Sequence, residues 1–333
     1  MQPFKTDISV LIIFFTRHEI FKKVFAEVKK ARPARLFLYQ DGPREGRPDD
    51  VENIKKCREI AEDIDWECEV HRYYQEKNVG VDPSGYIADT WAFSLTDKCI
   101  VLEDDIIPSP SLFSFHKELL DYYENDDRIM LISGMNLEEV SPNIQSDYFF
   151  SYTTITLAWS SWSRVVREWD KAYSFLDDDE KARKFKQFIK KNHLANNIPK
   201  LCDAHRKSGI EHFESILFSN QYLHEGLTIV PSKNLALHIG IDPDSAHYTT
   251  ELQYLPKPLQ KMSTMKVFEI DTSNIQHPKE IIVDRKYQKY VYWMHGWNHP
   301  VLKFFRFIGM CGKKLLHGRF SEVVQDCKKR LKK

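Results

Sequence analysis

The chain has 333 residues, of which 42% are hydrophobic and 13% aromatic, a composition typical of an ordered globular protein and not of a disordered one. Its 48 basic and 48 acidic residues balance, so net charge provides no general attraction to nucleic acid, and we expect no nucleic-acid partner. The six cysteines are scattered without a Cys-x-x-Cys pair, which argues against a small disulfide-stapled fold and favours reduced thiols.

The first apolar run, residues 9–15, is far shorter than the ~20 residues that a membrane-spanning helix needs. No small-residue cleavage site follows it, as a signal peptide would require. These two features lead us to expect a cytoplasmic location for the body of the protein.

Apolar strands and amphipathic helices alternate along the first third of the chain. Residues 8–15 form a β-rich block, and a stripe with the spacing of one helix face follows: Ile20, Phe21, Val24, Phe25 and Val28. Further strands are predicted at 35–40, 67–73 and 99–102, with helices around 51–60 and 84–95. Strands that return about every 30 residues indicate βαβ units, and therefore an α/β fold with a mainly parallel sheet flanked by helices.

In such a sheet, ligands bind beyond the carboxyl ends of the strands, so the residues just after each strand carry the chemistry. Those residues are Thr16-Arg17, Gln40-Asp41-Gly42, Asn78-Val79-Gly80 and Glu103-Asp104-Asp105. No GxGxxG follows the first strand and no Walker A sequence is present, which excludes the two common glycine-rich phosphate loops. A divalent cation held by carboxylates is the obvious other way to bind nucleotide phosphates.

The most distinctive feature is the acidic run Glu103-Asp104-Asp105, directly after an apolar strand. Three consecutive carboxylates repel one another unless a cation or a protein donor neutralises them. Mn²⁺ or Mg²⁺, bridging carboxylate and pyrophosphate oxygens, is the natural neutraliser. The alternative is a solvated acidic turn before the helix that starts near Ser111, where negative charge suits the helix dipole. The position at a strand end favours the metal site.

Residues 100–113, which contain the acidic run, resemble the DxD-type core of the GT-A glycosyltransferases, in the branch similar to N-acetylglucosaminyltransferase I. Further matches follow in the same order and extend the resemblance over roughly residues 8–250: Phe15-Thr16-Arg17, Gln40-Asp41-Gly42, Asn78-Val79-Gly80, residues 132–136, and residues 234–240 leading to His247. The resemblance implies a GT-A fold and a metal-dependent, inverting glycosyltransferase of the hexosyltransferase type. Its expected donor is a nucleotide-diphospho-sugar, UDP-linked by preference, and its expected acceptor is a glycan or a lipid-linked glycan.

The same resemblance implies roles for the residues around the nucleotide. Arg17 and Asp41 would contact the base, with Asn78 and Gly80 as further donor-binding residues. Other interpretations stay open, because Arg17 could be a surface charge at a helix start, and the short segments 41–43 and 78–80 could each be only a turn. Within the acidic run, Asp104 would contact the ribose, Asp105 would ligate Mn²⁺ or Mg²⁺ directly, and Glu103 would support the site through water.

Two further donor-side residues follow from the resemblance. Trp159 lies where relatives place an aromatic wall beside the donor sugar, although tryptophan is also a common core residue. His247 would donate to the diphosphate or join the metal, although a lone histidine is more often structural. His238 replaces the asparagine usual in relatives and is expected to pack.

An inverting transfer needs a general base that takes the proton of the acceptor hydroxyl. The position that matches the aromatic-acid-acid segment of the branch is His212-Phe213-Glu214-Ser215, which makes Glu214 the candidate catalytic residue. The chain departs from the pattern there, because the expected aspartate is a glutamate and the second acid is Ser215. Glu211 is therefore a rival, and Glu214 could also be only an exposed helix charge.

We divide the chain into a donor-binding half at 1–140, an acceptor and catalytic half at 141–287, and a basic, aromatic extension at 288–333. From Pro300 onward ten Lys and Arg residues stand against two acids, a composition suited either to peripheral contact with an anionic membrane or to an ordinary helix with a solvated basic face. Two other functions stay open: a catalytically silent binder of nucleotide sugars or glycans, and a sugar-1-phosphate nucleotidyltransferase. The nucleotidyltransferase normally requires a glycine-rich first loop, which this chain lacks.

Overall fold

The computed structural model of the chain describes residues 1–240 and 252–331. In these residues the strands are β1 (Thr6–Phe14), β2 (Pro33–Gln40), β3 (Glu69–Tyr74), β4 (Lys98–Glu103), β5 (Ile106–Pro108), β6 (Ile129–Ser133), β7 (Tyr148–Ser151), β8 (Trp159–Trp162), β9 (Leu227–Pro231) and β10 (Ala236–His238). The order β3-β2-β1-β4-β8-β6-β9-β7 forms the main sheet, while β5 and β10 make a separate antiparallel ribbon. The predicted α/β architecture is confirmed.

The parallel part of the main sheet contains the strands predicted from the first third of the sequence. β1 pairs in parallel with β2 on one side and with β4 on the other, and β3 extends the parallel part beyond β2. Beyond β4 the pairing becomes mixed, because β8 runs antiparallel to both β4 and β6. The carboxyl ends of β1, β2 and β4 therefore meet at one edge of the sheet.

The helices cover both faces of the sheet and continue into a C-terminal hairpin: α1 (His18–Ala31), α2 (Pro48–Ala61), α3 (Val81–Leu95), α4 (Pro110–Tyr122), α5 (Ser163–Val166), α6 (Asp179–Lys191), α7 (Ile198–Ser208), α8 (Phe213–Leu223), α9 (Lys257–Lys261), α10 (Arg285–His295), α11 (Pro300–Leu316) and α12 (Phe320–Leu331). Alternate residues of β1 pack into two different hydrophobic cores, one on each face of the sheet. Val10 and Ile12 pack in the core that includes α1 and α4, whereas Leu11 packs in the core that includes α3 and α8. Because both faces are buried, β1 reads as a continuous apolar run.

The predicted boundary at residue 287 falls inside α10. This helix begins after Asp284, whose carboxylate accepts from the backbone N–H of Lys286 at 2.7 Å and of Tyr287 at 2.9 Å. Tyr287 and Val291 of α10 are buried in the same core as β1, whereas none of the described residues of α11 or α12 belongs to that core. The six cysteines, all in the described part of the chain, form no disulfide, as predicted. None of the described helices combines the length and the apolar character that crossing a membrane requires.

Candidate active site

A cavity of about 520 Å³ opens beyond the carboxyl ends of β1, β2 and β4. Arg17 lines it after β1, Asp41 and Arg44 line it after β2, and Glu103 and Asp104 line it at the end of β4. The loop before α3 and the start of α8 complete the wall with Asn78, Gly80, Val81 and Phe213. The cavity lies beyond the carboxyl ends of parallel strands, where ligands of such sheets bind, and its volume is in the usual range for small-molecule sites.

Arg17 neutralises the acidic run from the neighbouring strand end. It stands just before α1, and its Nη2 donates to Asp104 Oδ1 and, at 2.9 Å, to Asp105 Oδ2. Asp104 Oδ2 also accepts from the backbone N–H of Phe15 at 3.2 Å. Burial raises the pKa of Asp104 to about 6 although Arg17 opposes this shift. The repulsion expected within the run is thus relieved by a protein donor in this structure.

Asp105 is almost fully buried, with one carboxylate oxygen in use and the other unsatisfied. Oδ2 accepts from Arg17 and lies 3.5 Å from His238 Nε2, whereas Oδ1 accepts no hydrogen bond from the described residues. Burial alone would raise the pKa of Asp105, but His238 and Arg17 outweigh it and lower the pKa. A Cβ atom on Gly240 would stand 1.8 Å from Asp105 Oδ2, so only glycine lets the chain pass so close.

The buried Oδ1 of Asp105 is the feature that fits a divalent cation. Among residues 1–240 and 252–331, no group of three or more His, Cys, Asp or Glu side chains is arranged to hold a metal ion. Carboxylate oxygens such as those of Asp104 and Asp105 are nevertheless the ligands that Mn²⁺ and Mg²⁺ prefer. A cation at Asp105 would therefore draw its other ligands from diphosphate oxygens and water, and it would compete with the guanidinium of Arg17 for Oδ2.

Glu103 and Glu214 are close enough to influence one another across the site. Burial raises the pKa of Glu103 well above its ordinary range, and the negative charges of Asp105 and Glu214 raise it further. Glu214 lies in the first turn of α8, is exposed, and accepts a long hydrogen bond from Thr156 Oγ1 at 3.4 Å. Glu214 therefore lies within electrostatic range of Glu103, although the two residues are more than a hundred positions apart in the sequence. The rival Glu211 instead forms an ion pair of 3.0 Å with Lys171.

Asp41 organises the loop that precedes α3. Its carboxylate accepts from Asn78 Nδ2 at 2.8 Å and from the backbone N–H groups of Gly42, Val79 and Gly80 at 2.8, 2.9 and 3.1 Å. Burial raises the pKa of Asp41, and the three backbone donors oppose the shift. Gly80 has a φ of +94°, a conformation that side-chain-bearing residues rarely adopt. Asp41, Asn78 and Gly80 therefore form one fixed wall, and a nucleotide contact by the Asp41 side chain would have to replace one of these bonds.

The structure does not bring Trp159 to the cavity. Trp159 is 2% exposed on β8, and its ring stacks in the core with Phe93 and Trp169 at centroid distances of 6.2 and 6.4 Å. Because β8 is an interior strand between β4 and β6, its side chains are covered on both faces, and the position matched to a sugar-facing wall is a core position here. His247 lies outside the described residues.

Two residues at the site received no functional role from the sequence. His238, expected to pack, ends β10 beside Asp105. Arg44 follows the end of β2 and forms a bidentate pair with buried Asp50, Nε to Oδ2 at 2.8 Å and Nη2 to Oδ1 at 2.7 Å. The strand-end rule applied to residues 41–44 could have found Arg44. The contact of His238 could not have been found in this way, because it depends on the pairing of β10 with β5.

No model of a known protein family matches the chain, and no curated protein matches its sequence. Among solved structures, the chain is similar to the inositol-1-phosphate CTP transferase from T. maritima, with 11% identity, 78% of this chain and 96% of that chain covered, and a TM-score of 0.38. It is also similar to mouse xyloside xylosyltransferase 1 in its apo form, with 10% identity, 67% and 84% covered, and a TM-score of 0.38. Likenesses this distant assign no activity to the chain.

Proposed function

We propose that this protein is a glycosyltransferase that moves a sugar from a nucleotide-diphosphate donor, with a UDP-sugar as the first candidate, to a hydroxyl group of a glycan acceptor. The observation that carries the proposal is the group of carboxylates at the carboxyl end of β4, where Glu103 and Asp104 line the cavity and the buried Asp105 follows them. Asp105 offers a buried oxygen without a hydrogen bond from the described residues, and Glu103 and Glu214 interact electrostatically beside it. A metal-dependent, inverting transfer of a glycosyl group from a diphosphate uses a cation-binding carboxylate and a separate base.

The donor would lie along the strand ends, where both signs of charge are available. The fixed loop of Asn78 and Gly80 shapes one side of the cavity, and Arg17 and Arg44 contribute positive charge near β1 and β2. A bound Mn²⁺ or Mg²⁺ would neutralise the charge that develops on the leaving diphosphate. Asp105 would hold this ion, and Arg17, now shared between Asp104 and Asp105, would keep its bond to Asp104.

Glu214 would act as the base on the acceptor side. The acceptor oxygen attacks the anomeric carbon, its proton passes to the Glu214 carboxylate, and the bond from that carbon to the diphosphate oxygen breaks. The nucleoside diphosphate leaves with the electron pair of that bond, and attack from the opposite side inverts the anomeric centre. Burial and the negative charges of Asp105 and Glu214 raise the pKa of Glu103, and Glu103 would support the site beside Asp105 without taking part in this step.

Substitution of Asp105 tests the proposal, with Asp97 as a matched acidic control on the turn before β4. The assay is Mn²⁺-dependent release of nucleoside diphosphate from a panel of nucleotide sugars, with and without glycan acceptors. We expect Asp105→Ala to lower turnover by about 10²-fold or more, while Asp97→Ala retains it. Unchanged turnover in Asp105→Ala, with and without Mn²⁺, would contradict the assignment.

Two further measurements distinguish the proposed function from the two other functions that the sequence leaves open. A silent binder would show Mn²⁺-dependent nucleotide-sugar binding by calorimetry but no release of nucleoside diphosphate. A nucleotidyltransferase would instead release pyrophosphate from a nucleoside triphosphate and a sugar 1-phosphate. We expect neither result, because the loop after β1 has the charged sequence Thr16-Arg17-His18-Glu19 and no glycine-rich segment to hold a triphosphate.

A further inference from the structure

The apolar residues of α11 form an exposed stripe along one side of the helix. Val301, Phe304, Phe305 and Ile308 follow one another at intervals of one, three or four residues, and Leu315 and Leu316 continue the same side toward the end of the helix. All six are exposed, Phe305 at 64% and Leu316 at 86%. Phe307 and Met310 lie on the inner side of α11, so the helix carries apolar residues on both sides and leaves one apolar side exposed.

The hairpin partner α12 extends this apolar surface. Phe320 and Val324 lie four residues apart near its start, and both are exposed, at 64% and 53%. The two helices are joined by only three residues and pack against each other, so the apolar sides of α11 and α12 belong to one continuous element. We name this element, residues 300–331, the C-terminal hairpin. Scattered exposed apolar residues need no explanation, but a one-sided series on a hairpin does.

The exposed charge of the C-terminal hairpin is positive. Its two acidic side chains, Glu322 and Asp326, are engaged by Lys314 at 3.2 and 2.8 Å, and Arg319 also pairs with Glu322. Lys313 of α11 is exposed at the edge of the apolar stripe, and Lys328 is exposed four residues after Val324 on α12, whereas Lys303 is exposed on the other side of α11. The acids are thus neutralised within the hairpin, while basic groups remain at its surface.

A second cavity, of about 480 Å³, lies on the inner side of α11 and adds to this positive character. Lys303, Arg306 and Arg330 line it together with Asp326, and its remaining wall is mostly apolar. Burial lowers the pKa of the adjoining His295 to about 4, and the charges of Arg306 and Lys303 contribute to this shift. This histidine therefore stays neutral and adds no charge of its own. These three cations face away from the apolar stripe and make the inner side of the hairpin basic as well.

We propose that the C-terminal hairpin docks the protein on the surface of an anionic lipid bilayer. The apolar stripe of α11, with Phe320 and Val324, enters the boundary between head groups and acyl chains, and the flanking lysines contact lipid phosphates. Charge complementarity selects this occupant, because a surface that joins a one-sided apolar stripe with unneutralised basic residues matches a bilayer that is apolar below and anionic above. The proposal does not depend on the proposed enzymatic activity.

Vesicle flotation of the full-length chain tests the docking surface. We expect the protein to float with vesicles made of an about 7:3 mixture of phosphatidylcholine and phosphatidylglycerol, and to bind pure phosphatidylcholine more weakly. The double variant Phe304→Ser, Phe305→Ser should bind the anionic vesicles more than about tenfold more weakly. Phe4→Ser, which removes an equally exposed phenylalanine at the other end of the chain, should bind as the wild type does.

Charge variants and a third apolar variant complete the design. Lys313→Gln and Lys328→Gln should each weaken binding to anionic vesicles about fivefold, whereas Lys55→Gln on α2 should not. If the double phenylalanine variant proves unstable, Leu316→Ser removes the most exposed residue of the stripe and should weaken binding in the same direction. Equal binding by wild type and these apolar variants, or no binding by the wild type, would overturn the proposal.

Light scattering without lipid tests whether a second copy of this chain covers the apolar stripe instead of a bilayer. A wild-type dimer that becomes monomeric in the double phenylalanine variant would show that the apolar stripe joins two copies of this chain, and it would overturn the bilayer assignment. We expect the same mass for both proteins.

Discussion

Replacement of Arg17 by methionine should destabilise the protein in the absence of divalent cations. The guanidinium contacts Asp104 and Asp105, which are 3% and 5% exposed, while the Arg17 side chain itself is 26% exposed. Removing one partner of a buried ion pair costs about 3–5 kcal/mol because the remaining charge is left in a poorly solvated place. Because Arg17 is partly exposed, we expect the lower end of this energy range, which is a loss of about 3 kcal/mol in the free energy of unfolding.

Urea unfolding in the presence of EDTA measures this loss. Arg47→Met is the matched control, because Arg47 pairs with Asp49 in an exposed position and should lose less than about 1 kcal/mol. Repeating the titration with Mn²⁺ should stabilise Arg17→Met more than the wild type, since the ion no longer competes with a guanidinium at Asp105. A loss as small as that of Arg47→Met would refute the conclusion that Arg17 neutralises the acidic run.

Three further changes have defined outcomes. Glu214→Gln should lower kcat of sugar transfer by about 10²–10⁴-fold while donor affinity by calorimetry stays nearly constant, and an unchanged kcat would exclude Glu214 as the base. Gly240→Ala should raise the apparent Kd for Mn²⁺ and donor about tenfold or more, because its Cβ would stand 1.8 Å from Asp105 Oδ2 and something must shift. Asp89, fully buried on α3 without a hydrogen bond from the described residues, has a pKa well above 3.8 because of burial. The unfolded state therefore ionises first as pH rises, and stability should fall by about 1.4 kcal/mol per pH unit from about 3.8 up to the folded-state pKa. Asp89→Asn should lack this component, so its stability relative to the wild type should increase over that interval in urea titrations at several pH values, and parallel pH curves would contradict the reasoning.

The parallel half of the fold was predictable because each of its strands is followed by an amphipathic helix. Residues 8–15 correspond to β1, and the predicted strand at 99–102 corresponds to β4, with boundaries shifted by one or two residues. Knowing that these strands are parallel neighbours was enough to place Arg17, Asp41 and the acidic run at one edge. The location of the cavity therefore followed from local periodicity and a general rule of sheet topology.

The contacts within the site were not predictable because they join distant parts of the chain. Arg17 reaches Asp104 across 87 positions, and His238 reaches Asp105 only through the ribbon of β5 and β10. The position of Trp159 could not be predicted for a different reason. Its sequence surroundings are equally compatible with a sugar-facing wall and a core strand, and the insertion of β8 between β4 and β6 decides for the core.

The products released by the reaction test the central proposal most directly. Wild-type protein and Asp105→Asn are incubated with Mn²⁺ and a panel of nucleotide sugars, and in parallel with nucleoside triphosphates and sugar 1-phosphates, and the liberated nucleoside diphosphate and pyrophosphate are quantified separately. We predict Mn²⁺-dependent release of a nucleoside diphosphate by the wild type, strongly reduced in Asp105→Asn. Release of pyrophosphate from a nucleoside triphosphate, or equal nucleoside diphosphate release by both proteins, would contradict a glycosyltransferase that uses Asp105.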